Sequence, residues 1–346
     1  MAATKRPVPE PDFLGSFGSV QLLAPVDEVL ATIAPFRLPV GVAVSGGADS
    51  AMLLVHAARI ALQRDVELHA FHVHHGLQQV ADTWREQVHE LAQKLRLPCH
   101  SQRVAVDTSR GDGIESAARA ARYQALAAMA QKAGVKHLLL AHHRDDQAET
   151  VLLRLLRGAG PHGMGAMAPR MERDGLIFLR PWLEVSRADI DDAARAFYQA
   201  TGWKSVVDPT NSEDRYTRSA VRERLAPQLN DRWPGWQAVL ARHARQSREA
   251  VEILDEVAAE DFASLEPAED RLSFSLAQWR KLSHARQALV LRYWLGMHGV
   301  RMPTEARLND LMRQMRQLHA LGHDRAMNVK HGDVTIRCTR GRVLLK

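Results

Sequence analysis

VGVAVSGGADSAMLLVHAARIA (residues 40–61) passes from an apolar run through a glycine turn into a helical pattern. Val40–Val44 is nearly continuous in apolar residues, as a strand covered on both faces should be. Ser45-Gly46-Gly47-Ala48-Asp49-Ser50 follows, and a helix is expected at once. Two glycines let the backbone approach a ligand closely, and the helix start adds unpaired N–H groups at a positive dipole end. The result is an anion nest suited to phosphate or pyrophosphate. Ser45, Gly46, Gly47, Ala48, Asp49 and Ser50 are therefore candidate phosphate-binding residues. The Walker A spacing and its Lys are both absent. Mg²⁺ is then expected to balance a bound triphosphate, with Asp49 as the nearby carboxylate. The plainer alternative is a tight strand–helix turn capped by Ser or Asp.

Outward from this loop, residues 38–205 alternate apolar β-type runs with longer helical patterns. Strands are expected at Pro39–Val44, Val66–Val73, Pro98–Val106, His137–Ala141 and Leu176–Arg180. Helices are expected at about 50–62, 82–95, 115–133, 147–157 and 187–201. Such alternation gives an α/β fold, a Rossmann-like parallel sheet with helices on both faces. Ligands of such sheets bind beyond the carboxyl ends of the strands. Residues before 38 read as disordered. Residues 230–346 read as a smaller, mainly helical domain, with helices at Leu240–Ala259, Trp279–Leu295 and Glu305–Leu318 and a terminal β-hairpin. The break is placed between Pro227 and Trp236, where Pro227, Pro234 and Gly235 interrupt a helical pattern. This gives domains at 1–229 (core 38–205) and 230–346.

The 346 residues are 46% hydrophobic and 25% charged, an ordinary globular balance. Two cysteines, Cys99 and Cys338, exclude a disulfide scaffold, a CxxC redox pair and a Cys-rich zinc module. No signal-peptide core or membrane-length apolar segment is found, so a soluble, cytoplasmic protein is expected. The net charge of +6 is unevenly spread. Residues 251–270 hold eight acids and no Lys or Arg, whereas residues 271–346 carry 15 basic and 4 acidic side chains. That Arg-rich tail suits a polyanion such as nucleic acid, although a solvated helical face would read the same way.

Other strand ends collect chemistry on the same edge. Strand two runs into His72-Val73-His74-His75-Gly76, and strand four into AHHRDDQAET (141–150). Zinc on these histidines is conceivable, but neither HExxH nor a thiolate set is present, and strand histidines can serve sheet packing. Mg²⁺ on Asp146 or Glu149 together with phosphates suits hard carboxylate oxygens better. Asp146 and Glu149, three apart at a helix start, would share a face. Arg119 and Arg122 have the same spacing and could reach one anion, or form an exposed ion-pairing helix. Gly158-Ala159-Gly160-Pro161-His162-Gly163 matches GxGxxG but follows a helical run, so NAD or FAD binding is rejected there.

SGGADS resembles the PP-loop signature of the N-type ATP pyrophosphatases. With HVHHGL (72–77), ESAARAARY (115–123), AHHRDDQAET (141–150), RGAGPHGMGAM (157–167), RPWLEVSRADI (180–190) and DPTNSEDRYTRSAVR (208–222), the chain resembles the tRNA(Ile)-lysidine synthetase family over residues 38–225. The basic C-terminal part resembles that family's tRNA-contacting domain more loosely, and the extra C-terminal domain of the longest members is expected to be absent. Ser219 departs from the family's R-N-x-x-R pattern, which has Asn after the Arg.

The resemblance implies an ATP-dependent ligase acting on isoleucine tRNA with a CAU anticodon. The wobble cytidine is adenylated at its C2 oxygen with release of pyrophosphate, and L-lysine then displaces AMP to leave lysidine. It implies that Ser45, Gly46, Gly47 and Ser50 bind phosphate and that Asp49 positions Mg²⁺. Arg119 or Arg122 and His143 would stabilise developing charge. Asp146 and Glu149 would bind Mg²⁺ or orient the lysine amine, and Asn211, Arg218 and Arg222 would line the substrate pocket or the domain junction. A homodimer is left open.

Three rival readings remain: a tRNA thiolase, an amide-forming synthetase of the NAD or GMP type, or a nucleic-acid-binding protein with an inactive loop. Thiolases generally need reactive or cluster-binding cysteines, which Cys99 and Cys338 fit poorly. A synthetase would not need the basic tail, and a binding module would not need the intact SGGADS.

Overall fold

The computed structural model describes residues 18–74, 81–104, 114–206, 217–318 and 327–346. It divides into two units, Met1–Arg245 and Gln246–Lys346. The first begins with α1 (Val20–Ile33), β1 (Val40–Ala43), α2 (Ala48–Gln63), β2 (Leu68–His74), α3 (Ala81–Lys94), β3 (Cys99–Arg103), α4 (Ile114–Lys132) and β4 (His137–Leu139). It continues through α5 (Arg144–Leu156), α6 (Pro161–Met164), β5 (Arg170–Arg173), β6 (Leu176–Leu179) and α7 (Arg187–Thr201). Last come α8 (Thr217–Ala220), a π-helical turn (Val221–Leu225), α9 (Ala226–Arg232) and the start of α10 (Trp236–Ser264).

The sheet order is β3-β2-β1-β4-β6-β5. β1 pairs in parallel with β2 on one side and β4 on the other, Val42 standing opposite Ala70 and Leu139. The chain winds outward from β1 to β3, then returns to the far side of β1. That reversal makes the gap between the ends of β1 and β4 the topological switch point, where a ligand crevice forms in open α/β sheets. Gly41 is required by this packing, since a Cβ there would lie 2.5 Å from Leu138 Cδ1 and 2.6 Å from Phe71 Cε2.

One face of the sheet is covered by α1, α2, α3 and α7, whose Leu30, Leu54, Leu91 and Phe197 share a core with Val40 and Val42. The other is covered by α4, with Tyr123, Leu126 and Met129 against Phe71, Leu138 and Phe178. α2 is buried around nearly its whole circumference, which is why its sequence reads as an apolar run.

Two expectations need correction. The start of the chain is not wholly irregular: α1 buries Leu22, Val26, Leu30 and Ile33, a stripe one helical turn apart. Each such burial is worth about 1.5–3 kcal/mol, so α1 is part of the core. The sheet is parallel except at one edge. β5 runs antiparallel to β6 through Asp174-Gly175, both at positive φ (51° and 75°), the backbone of a two-residue hairpin.

The second unit holds the end of α10, β7 (Ser273–Ser275), α11 (Leu276–Lys281), α12 (His284–Met297), α13 (Glu305–Gln317), β8 (Met327–His331), β9 (Val334–Thr339) and β10 (Arg342–Leu345). The last three strands and β7 form an antiparallel sheet of order β7-β10-β9-β8, larger than the expected hairpin. Phe274, Trp279, Leu291, Trp294, Met312 and Val343 lie in its core. The side chains of Ser275, Ser283 and Thr304 cap α11, α12 and α13 by accepting amides of their first turns.

Much of the unit's arginine is spent internally. Arg286 forms a bidentate pair with buried Asp261, Arg316 donates to Gln287 Oε1, and Arg280 donates to the Met315 carbonyl near the end of α13. Arg301, Arg307 and Arg340 are exposed. No helix among the described residues is long and apolar enough to cross a membrane.

Candidate active site

Ser45–Gly47 joins β1 to α2 at the switch point. Gly46 adopts φ +99°, and a Cβ there would stand 2.9 Å from Val206 Cγ2, so only glycine fits without strain. The amide of Val206 donates to the Gly46 carbonyl at 2.9 Å, fixing the back of the loop. Ser50 closes its front: Ser50 Oγ accepts from the Ser45 amide at 3.0 Å and donates to the Gly47 carbonyl at 3.2 Å. Gly47 precedes α2 at the capping position and offers no side-chain cap, which leaves first-turn amides available to an anion.

Asp49 lies in that first turn. Burial raises its carboxyl above the usual range, opposed by the charges of His143 and Arg187. Its Oδ1 is buried without a hydrogen-bond partner. Facing it from the segment between β4 and α5 is His143, which is 1% exposed. His143 Nε2 lies 3.8 Å from Asp49 Oδ2 and 3.4 Å from Asp146 Oδ2, yet neither ring nitrogen makes a hydrogen bond. α5 begins one residue later, and the His143 amide donates to Asp146 Oδ2 at 3.2 Å. Burial alone would raise Asp146. The charges of His143, His142 and Arg218 and that amide outweigh it and hold the carboxyl below the usual range.

Asp146 and Glu149 do share one face of α5, and the same cation reaches both. Arg222 donates from Nε to Glu149 Oε1 at 2.6 Å and from Nη2 to Glu149 Oε2 at 3.0 Å and Asp146 Oδ1 at 3.3 Å. Arg218 approaches Asp146 Oδ1 at 3.6 Å and donates to Thr150 Oγ1 at 3.3 Å. Arg222 sits on the π-helical turn, a local irregularity common at functional sites.

Arg119 and Arg122 lie on α4 beside Tyr123. Arg119 donates to the Tyr123 hydroxyl at 3.2 Å, and both guanidinium groups lie over the ring, 5.2 and 5.8 Å from its centroid. Burial lowers the Arg122 pKa, helped by its neighbours Arg119 and Arg218. Burial depresses His142 to about 3, with the charges of Arg180, Arg122 and Arg119 adding to the effect and that of Asp146 opposing it. His142 Nδ1 accepts from Arg180 Nε at 3.3 Å. His142 thus stands as a neutral acceptor beside the cationic Arg180, and Arg187 adds a positive charge near Asp49; the motifs contain all three, but no role could be given them from spacing alone. The clue for His142 was its place directly after a buried strand.

The expected three-carboxylate metal set is not assembled. Glu149 is committed to Arg222, and no group of three or more His, Cys, Asp or Glu among the described residues is placed to hold a metal. The orphaned Asp49 Oδ1 does fit Mg²⁺, which commonly takes one or two protein carboxylates plus substrate phosphates. His72 serves sheet packing, its Nδ1 bonded to the Val44 carbonyl at 2.8 Å. His75, Gly76 and Asn211 lie outside the described residues.

The GxGxxG segment follows α5, and Arg154 donates to its Gly163 carbonyl at 2.6 Å. Burial pushes Cys99 up to about 11 and also raises Cys338. Neither thiol is suited to act as a nucleophile at neutral pH.

Comparison with known proteins agrees with this geometry. A PP-loop domain profile matches residues 27–229, and a TilS substrate binding domain profile matches residues 274–344. The tRNA(Ile)-lysidine synthase of Bordetella bronchiseptica is 56% identical over 99% of this chain and 98% of its own length. That of Bordetella pertussis is 60% identical over 90% and 96%, and that of Polaromonas naphthalenivorans 39% identical over 90% and 92%. With a PP-loop at the switch point, an arginine-held carboxylate pair beside it and full-length relatives of this kind, the chain belongs to the tRNA(Ile)-lysidine synthase family.

Proposed function

We propose that this chain joins L-lysine to the wobble cytidine of an isoleucine tRNA with a CAU anticodon, consuming ATP. The observation that carries the reading is the uncapped α2 start behind Gly46-Gly47, with Asp49 Oδ1 uncommitted and buried beside His143. Amides of the loop and of the first turn of α2 bind the pyrophosphate end of ATP. Mg²⁺ held by Asp49 would supply charge neutralisation on the phosphates.

The cytidine C2 oxygen attacks the α-phosphorus, the bond to the β-phosphate oxygen breaks, and pyrophosphate leaves. His143, Arg119 and Arg122 stabilise the charge on the α-phosphate and on the adenylated base. The ε-amine of lysine, in its neutral form, then attacks C2. AMP departs with the former C2 oxygen, and one proton is released. Asp146 and Glu149 orient that amine, and Arg222, hydrogen-bonded to both, fixes their geometry. A single-stranded anticodon loop allows the cytidine to be extruded into such a pocket.

Residues 1–229 would form the catalytic domain and 230–346 the RNA-binding domain. A cytoplasmic setting, where ATP, lysine and tRNA coexist, accords with this reading. It is tested by incubating the chain with ATP and CAU-anticodon tRNA, with and without lysine. Pyrophosphate should be released in both cases, and a stable product nucleoside should form only with lysine.

A further inference from the structure

Of the seven tryptophans, all within the described residues, only Trp233 is exposed, at 58%. It ends α9 in the turn before α10, and that turn is held firmly. The Trp233 amide donates to the Leu229 carbonyl at 2.8 Å, and Gly235 takes φ +81°. Asn230 Oδ1 accepts from Trp236 Nε1 at 2.9 Å and from Gln237 Nε2 at 3.2 Å. The indole is therefore presented by a rigid corner rather than by a loose loop. The Arg232 guanidinium lies 5.7 Å from its ring centroid. Residues 222–245 contain five arginines (222, 224, 232, 242 and 245) against two acids, Glu223 and Asp231. An exposed aromatic ring beside an arginine, in a segment whose excess charge is positive, matches the stacking platforms that bind unpaired nucleic-acid bases.

We propose that Trp233 is a base-stacking platform, which holds one unpaired base of the RNA while the adjacent Arg232 meets a neighbouring phosphate. The proposal rests on the reading that the substrate is a tRNA, and it adds a contact outside the nucleotide site. Arg222 already links this segment to Glu149, so an RNA loop seated on α9 lies close along the chain to the candidate site.

The test uses full-length wild type, Trp233→Ala and Trp233→Phe, with CAU-anticodon tRNA and its isolated anticodon stem–loop in filter binding. Trp233→Ala should weaken both RNAs by about tenfold or more, the usual effect of losing one base stack. Trp233→Phe should stay within about threefold of wild type, because it retains a π-face. The slope of log affinity against log salt should not change, since no charge is removed. RNA should also protect the exposed indole of wild type from acrylamide quenching. Equal RNA binding by wild type and Trp233→Ala would overturn the platform and leave the tRNA reading standing. Failure of wild type to bind either RNA would overturn both. A dimer that Trp233→Ala converts to monomer with RNA affinity unchanged would also overturn it, giving the indole to self-association.

Discussion

Gly46→Ala adds one methyl group to the phosphate loop, and its cost can be worked from two separate terms. At φ +99° an L side chain is strained by about 1–3 kcal/mol. The new Cβ would stand 2.9 Å from Val206 Cγ2 and 3.4 Å from Val88 Cγ2, an overpacking worth about 1–3 kcal/mol. Their sum is at least about 2 kcal/mol, which drives the free loop out of the binding conformation, so apparent affinity for a non-hydrolysable ATP analogue should fall by roughly 30-fold or more. Adding Val206→Ala removes Cγ2 and leaves the neighbouring Cβ at 3.6 Å, so the clash disappears but the backbone strain stays. The double variant should regain about tenfold without reaching wild type. Calorimetric titration of the three proteins measures both terms. Wild-type affinity in Gly46→Ala, or no recovery with Val206→Ala, would refute the reasoning.

Asp49→Ala should abolish tRNA-dependent pyrophosphate release and leave tRNA affinity within about twofold, since tRNA affinity is dominated by cationic contacts elsewhere. Arg222→Met leaves Glu149, with only 6% of its side chain exposed, without its bidentate partner. It should destabilise the protein by about 2–3 kcal/mol, below the 3–5 of a fully buried pair because Arg222 is partly solvated. Adding Glu149→Leu should cost less than the two single effects together, as read from unfolding midpoints. His56 is 1% exposed and held neutral down to about pH 4 by burial, against an ordinary 6.5. Between those values the unfolded chain binds the proton and the folded one does not, so stability should fall by about 3 kcal/mol as pH drops from 6.5 to 4. His56→Phe should flatten that dependence in a pH series of thermal melts. Replacing Cys99 and Cys338 together by Ala should leave product formation within about twofold, because neither thiol is activated.

The buried strands β1, β2, β4 and β6 were legible because strands covered on both faces are continuously apolar. β5 was not, since RMER at residues 170–173 is an edge strand whose side chains stay largely in water. Its cue was the Asp174-Gly175 pair just before LIFL. α1 was hidden by Pro25 within the helix, although its four buried residues keep helical spacing. At the site, local spacing placed the loop, the arginine pair on α4 and the carboxylate pair on α5. It could not show that Arg222, 73 residues from Glu149, would neutralise that pair. That meeting depends on tertiary packing and changes Glu149 from an expected metal ligand into the partner of a cation. Much of the C-terminal charge likewise proved to be internal pairing, as with Arg286 and Asp261.

The most direct measurement combines the purified chain with ATP, L-lysine and CAU-anticodon tRNA, then digests the RNA for mass spectrometry of its nucleosides. The expected result is a cytidine carrying lysine, formed in step with AMP and pyrophosphate and absent with Asp49→Ala. Unmodified cytidine with ATP left intact, or the same product from Asp49→Ala, would contradict the account.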